Sequence, residues 1–169
     1  MVLPRTIIHP MRLTQFSDIG LRVLMYLARS GERPRPVTVA EIATQFEIPV
    51  NHLVKVVGHL ARSGWVLATR GRNGGIRLCV EASGLKIGSV LRELEGDTEL
   101  VGCDSRGCSL RRSCKLREAL KVGLGAFYGA MDGYTLADIT DSRTGEQLAR
   151  MHRSFLKKTP CGAAGPRMN

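Results

Sequence analysis

No apolar run in this 169-residue sequence approaches the roughly 18 residues needed to cross a bilayer, so a membrane-spanning protein is not expected. The opening MVLPRTIIHP has one arginine and a short apolar patch. It lacks the apolar stretch and small-residue cleavage site of a secretory signal, and a cytoplasmic location is expected. A nucleotide-binding glycine loop, a catalytic triad and a radical-enzyme C-x-x-x-C-x-x-C pattern are also missing, so the chain does not read as an enzyme. Its five cysteines, at 79, 103, 108, 114 and 161, include no C-x-x-C pair of common zinc sites and no C-x-x-C-x-x-C run of bacterial ferredoxins.

What the sequence has in excess is positive charge. The formal net charge is +10, distributed as +7 over residues 1–80, −1 over 81–140 and +4 over 141–169. A basic front half joined to a near-neutral middle points to a polyanion-binding module carrying something else.

The apolar pattern orders the chain. Residues 1–10 read as an extension. From 18 to 29, Ile19, Val23, Tyr26 and Leu27 fall on one helical face, with Thr14 or Ser17 available as cap. Thr38 caps a second helix, and Glu41 stands at capping-box spacing. Pro49 opens a third helix over 50–63. Two short helices joined by a tight turn, the second with a polar face, read as helix-turn-helix. The β-prone runs flanking Gly71-Arg72-Asn73-Gly74-Gly75 predict a hairpin, hence a wing. A short fourth helix contains Ile87, Val90, Leu91 and Leu94. A cysteine-bearing loop over 96–113 leads into a long helix, about Cys114 to Met131, spanning about 27 Å. Its apolar stripe (Leu116, Leu120, Leu124, Phe127, Met131) favours a dimer helix. The fold expected is mainly α with a small β-hairpin. It comprises a winged helix-turn-helix (11–85), a cluster-binding loop and dimerisation helix (86–140), and a basic, disordered tail (141–169).

In a helix-turn-helix the second helix enters the major groove with its N-terminal residues nearest the base edges. Asn51 and His52 are therefore candidate base readers, and Lys55 and Arg62 candidate phosphate contacts. On the wing, Arg70, Arg72 and Arg77 surround the turn, with Arg72 placed to enter a narrow minor groove.

Cys103, Cys108 and Cys114 lie within twelve residues. Soft thiolates at this density suit an iron–sulfur cluster or zinc, and thiol-redox or structural use remains an alternative. Arg106, Arg111 and Arg112 can offset thiolate charge. Cys79 and Cys161 read as bystanders. Three cysteines leave one coordination position open.

Together, MRLTQFSDIGLRVLMYLA (11–28), IPVNHLVKVVGHLARSG (48–64), GRNGGIRL (71–78) and the cysteine spacing resemble the bacterial iron–sulfur winged-helix regulators, the family that contains IscR and the nitric-oxide-sensitive NsrR-type repressors. The opening MRLTQFSD and the later DGYTLADI (132–139) are similar to the NsrR-type branch. The resemblance implies a homodimer with crossed long helices, repressing nitrosative-stress genes on double-stranded DNA. It implies one iron–sulfur cluster per subunit, 4Fe–4S in preference to 2Fe–2S, and loss of DNA affinity on exposure to nitric oxide. IscR-like members use a histidine three residues after the third cysteine; here that residue is Arg117. NsrR-like members use an aspartate from the partner's first helix, which corresponds to Asp18. In the first turn of its helix, Asp18 also suits the helix dipole. The alternatives are an iron- or redox-responsive regulator of the same family and an electron-transfer protein.

Overall fold

The computed structural model describes residues 13–31, 33, 35–71, 74–96, 100–101, 108–110 and 113–158. The order is α1 (Gln15–Ala28), α2 (Val39–Phe46), α3 (Val50–Arg62), β1 (Val66–Thr69), β2 (Gly75–Leu78), α4 (Ile87–Glu95), α5 (Lys115–Met131), α6 (Leu136–Ile139) and α7 (Ser142–Lys158). The strands form one antiparallel hairpin, with Val66 opposite Leu78 and Thr69 opposite Gly75. This is the mainly helical, single-hairpin architecture expected. The extension at 1–10 lies outside the described residues.

Local chemistry explains where the helices begin and end. Thr14 caps α1 by accepting the Ser17 N–H at 3.2 Å, so the helix starts three residues before the expected 18. Thr38 caps α2 by accepting the Glu41 N–H at 3.1 Å. Glu47, in the left-handed region at φ 54°, closes α2, and Pro49 then starts α3. Thr135 and Asp138 form a complete capping box on α6.

Helix α1 is the centre of the fold. Ile19, Val23, Leu24, Tyr26 and Leu27 are all buried, and α1 packs against α3, α4, α6 and β2. Leu53, Val56, Val57 and Leu60 of α3 complete the head. Val37 accepts the Ile76 N–H at 2.7 Å, which pins the wing to the segment entering α2.

The C-terminal segment departs from expectation. Instead of a disordered tail from 141, residues 142–158 form α7, while 159–169 lie outside the described residues. Charge density hid an amphipathic period: Gly145, Leu148 and His152 are buried on one face. That face meets a buried polar clamp. Arg33 donates to both Glu41 oxygens, at 2.7 and 3.0 Å, and the Tyr26 hydroxyl donates to Glu41 Oε1 at 2.8 Å. His152 Nε2 lies 2.9 Å from the Tyr26 carbonyl, which can only accept, so Nε2 carries the proton. His152 Nδ1 accepts from Arg33 at 3.0 Å; its 3.6 Å separation from Glu41 is too long for a hydrogen bond. The imidazole lies over the Tyr26 ring, centroids 3.8 Å apart. Glu41 therefore stands at capping-box spacing without closing a box, because its carboxylate is committed to Arg33.

Burial by itself pushes the Glu41 carboxyl up, but the Arg33 and Tyr26 hydrogen bonds outweigh it and hold the group below its ordinary value. Burial and the neighbouring carboxylate push the Tyr26 phenol up, keeping it protonated as a donor. A carboxyl with a lowered folded-state pKa contributes stability that is present above its unfolded value and lost as pH falls through the folded one. Unfolding free energy should thus decline below about pH 4. Glu41→Gln strands a buried guanidinium and should cost about 3–5 kcal/mol while flattening that acid limb. Denaturant titration across pH checks both; a variant as stable as the parent would remove the clamp from the account.

Candidate functional site

Two sets of side chains carry chemistry, and one helix pair joins them. The first set lies on α3 and the wing. Leu53, Val57 and Leu60 turn inward, while Asn51, Lys55 and Arg62 are exposed and His52 is half-exposed. Arg70 and Arg77 are exposed on the hairpin; Arg72 lies outside the described residues. Lys55, Arg62, Arg70 and Arg77 have no carboxylate partner among the described residues. His59 is held away from this face, edge-on to Phe16 at 5.4 Å and 3.1 Å from Glu93.

The outer face of α3 is less polar than the sequence reading assumed. Val50 and Val54 are 51% and 56% exposed, beside Asn51 and Lys55. Position 54 follows Asn51 by three residues, so the helical period already placed it on that face. An uncovered aliphatic group there is suited to apolar contact with a thymine methyl.

The second set is the thiols. Cys108 and Cys114 are free and half-buried; Cys103 lies outside the described residues. Cys114 is the N-cap of α5, and no side chain caps that end. The first-turn N–H groups and the helix dipole there favour a bound anionic group. These donors fit a soft-metal centre in kind. Among the described residues no three metal-ligating side chains are gathered together. Arg117 stands one turn into α5. Asp18 is exposed on α1 and pairs with Arg22 at 3.0 Å. Cys79 is exposed on the wing, its N–H donating to the Trp65 carbonyl at 2.9 Å.

Helices α1 and α4 join the two sets. The Thr14 N–H and hydroxyl donate to Glu95 Oε1 at 2.8 and 3.2 Å, tying the start of α1 to the end of α4, where the cysteine segment departs. A Cβ on Gly20 would meet Leu94 Cδ1 at 2.6 Å, so this crossing is close. A second close crossing joins α4 to α5: a Cβ on Gly88 would lie 2.5 Å from the Tyr128 carbonyl oxygen. Arg92 clasps Asp132 through both nitrogens, at 2.6 and 3.1 Å. Its hydrogen bonds hold the Asp132 carboxyl below its usual range.

Helix α5 has no buried residue in the single chain. Leu116, Val122 and Phe127 are 63%, 73% and 41% exposed. An apolar helix left uncovered by its own chain marks an interaction face. No helix among the described residues is long and apolar enough to cross a membrane.

Comparison with known proteins places this arrangement. The Rrf2 family pattern, described as iron-dependent transcriptional regulator, matches residues 13–142. The chain is similar to Staphylococcus aureus CymR, at 23% identity over 76% of this chain and 98% of that one, with a TM-score of 0.60. It is similar to CymR, the global cysteine regulator of B. subtilis, at 24% identity over 77% and 96%, TM-score 0.53. T. potens IscR is matched at 21% identity over 76% and 85%, TM-score 0.58.

The α4–α5 crossing yields a test. Because Gly88 faces the Tyr128 backbone carbonyl as well as the Asp132 carboxylate that Arg92 holds in place, Gly88→Ala should cost about 1–3 kcal/mol, lowering Tm by about 2–10 °C. Calorimetry checks this, and a variant melting with the parent would contradict the close approach.

Proposed function

The chain belongs to the Rrf2 family of transcriptional regulators, which are not enzymes, and from that premise we propose that it is a cytoplasmic, homodimeric repressor that responds to nitric oxide through an iron–sulfur cluster in each subunit. The observation that carries the reading is a basic reading head whose cations have no carboxylate partner among the described residues, together with two free thiols, Cys114 at the uncapped start of α5 and Cys108 six residues before it. The uncovered apolar side of α5 supports the dimer.

In this reading Cys103, Cys108 and Cys114 hold the cluster, and the partner subunit's Asp18 supplies the fourth ligand. Asp18 is suited to this because its carboxylate is half exposed on the outside of α1, within reach of a second chain. When bound, the cluster, 4Fe–4S in preference to 2Fe–2S, supplies iron that reacts with nitric oxide. A hard carboxylate is a weak partner for a soft centre and easily displaced.

The chain's own residues do the rest. Asn51 and His52 read base edges, and Val54, with Val50 beside it, contacts thymine methyls. Lys55, Arg62, Arg70 and Arg77 hold phosphates, and Arg72 enters the minor groove. Asp18, one turn beyond Thr14, is rigidly placed relative to α4 by the Thr14–Glu95 hydrogen bonds. A ligand bond at Asp18 would therefore set the angle between the two heads. Two half-sites about one DNA turn or a multiple apart are gripped only at the right angle.

The test is anaerobic purification followed by DNA binding to an operator selected from random duplexes, with nitric oxide titrated in. The protein should be coloured and iron-loaded, bind tightly, and lose at least about tenfold in affinity with nitric oxide, about 1.4 kcal/mol. Colourless, iron-free protein that binds the operator equally well would refute the proposal. An effect of oxidants or iron depletion without one of nitric oxide would replace it by an iron- or redox-responsive regulator.

A further inference from the structure

Helix α7 carries five cations and one carboxylate over residues 142–158. Its inward face is committed to the buried clamp with Tyr26, Arg33 and Glu41. Its outward face lines two adjoining shallow clefts that share Arg150 and Arg153. Arg29, from the end of α1, and Glu146 flank the first cleft; Lys157 and Lys158 flank the second. Arg150, Arg153, Lys157 and Lys158 have no ion-pair partner among the described residues.

We propose that this face is a second DNA-backbone contact, gripping phosphates outside the half-site read by α3. The proposal rests on the DNA-binding reading above and extends it to a surface outside the winged motif. Three observations carry it. Arg150, Arg153 and Lys157 follow one another at three and four residues, so they share a helix face and span about 10 Å. A row of that length can reach neighbouring phosphates of one DNA strand. Second, α7 packs against α2, the helix that in a helix-turn-helix crosses the DNA backbone. Third, the clamp is rigid. Arg33, Glu41 and His152 side chains are 7%, 2% and 7% exposed, which fixes the cations relative to the reading head. A membrane surface fits less well, because the apolar side of α7, with Leu148, is already spent against the head.

The experiment uses the full anaerobic protein, with Arg150→Gln, Arg153→Gln and Lys157→Gln combined, and two duplexes. One covers the operator alone; the other adds about ten base pairs on each side, roughly one helical turn. Dissociation constants are measured across a salt series. The parent should bind the longer duplex at least about tenfold more tightly and with a steeper salt dependence. The triple variant should match the parent on the short duplex and lose the advantage of the long one. Its salt slope there should fall by about 0.9 per lost contact, up to about 5 for a dimer. Equal slopes for parent and variant on the longer duplex overturn the proposal. Failure of the parent to bind even the short operator instead overturns the DNA-binding reading and the proposal with it. Far-UV melting of the variant shows whether α7 still folds; a folded variant with unchanged long-duplex affinity also counts against the contact.

Discussion

The close crossing of α1 and α4 is the constraint on which the rest of the molecule depends. Gly20 lets the Leu94 side chain pack directly on the α1 backbone, and Thr14 binds Glu95 at the same seam. Helix α1 supports α3 and the wing on one side. Helix α4 leads directly to the cysteine segment and is clasped to α5 by Arg92 and Asp132. Helices α3, α1, α4 and α5 are thus packed in series, and Cys114 stands at the start of the last of them.

A second constraint acts from the other end of the chain. The Arg33–Glu41 pair is buried, and burying two charges costs more than an exposed pair would return unless the remaining hydrogen-bonding capacity is met. Tyr26 and His152 meet much of it, and His152 comes from α7. The C-terminal helix is thus part of the head's polar interior, although it lies beyond the residues matched by the family pattern. Helix α5 is the converse case: it is long, and its own chain leaves Leu116, Val122 and Phe127 uncovered.

Much of this was legible in the residues, for physical reasons. Thr38 and Thr14 are strong caps, and the period of Ile19, Val23, Tyr26 and Leu27 is strict. The glycine-rich turn at 71–75 leaves few alternatives to a hairpin. What escaped is equally particular. Glu41 sits where a capping box needs it, but its side chain goes to Arg33, a choice made by tertiary burial rather than spacing. Helix α7 was masked by its charges, although Gly145, Leu148 and His152 already lay on one face. Val54 has no polar group to mark it as outward, although its distance from Asn51 places it there. The cysteine spacing was legible as the donor set of the proposed cluster. Its geometry was not, because spacing along the chain does not place thiols in space and Cys103 lies outside the described residues.

The central claim is that the state of the cysteine segment is felt at the reading head through the α1–α4 seam. Hydrogen–deuterium exchange on the anaerobic, iron-loaded dimer before and after nitric oxide measures this directly. The account predicts that protection falls in the first turns of α1 and the last turn of α4, around Thr14 to Ile19 and Arg92 to Glu95, together with α3. A change confined to residues 96–114, with α1, α3 and α4 unaltered, would contradict it.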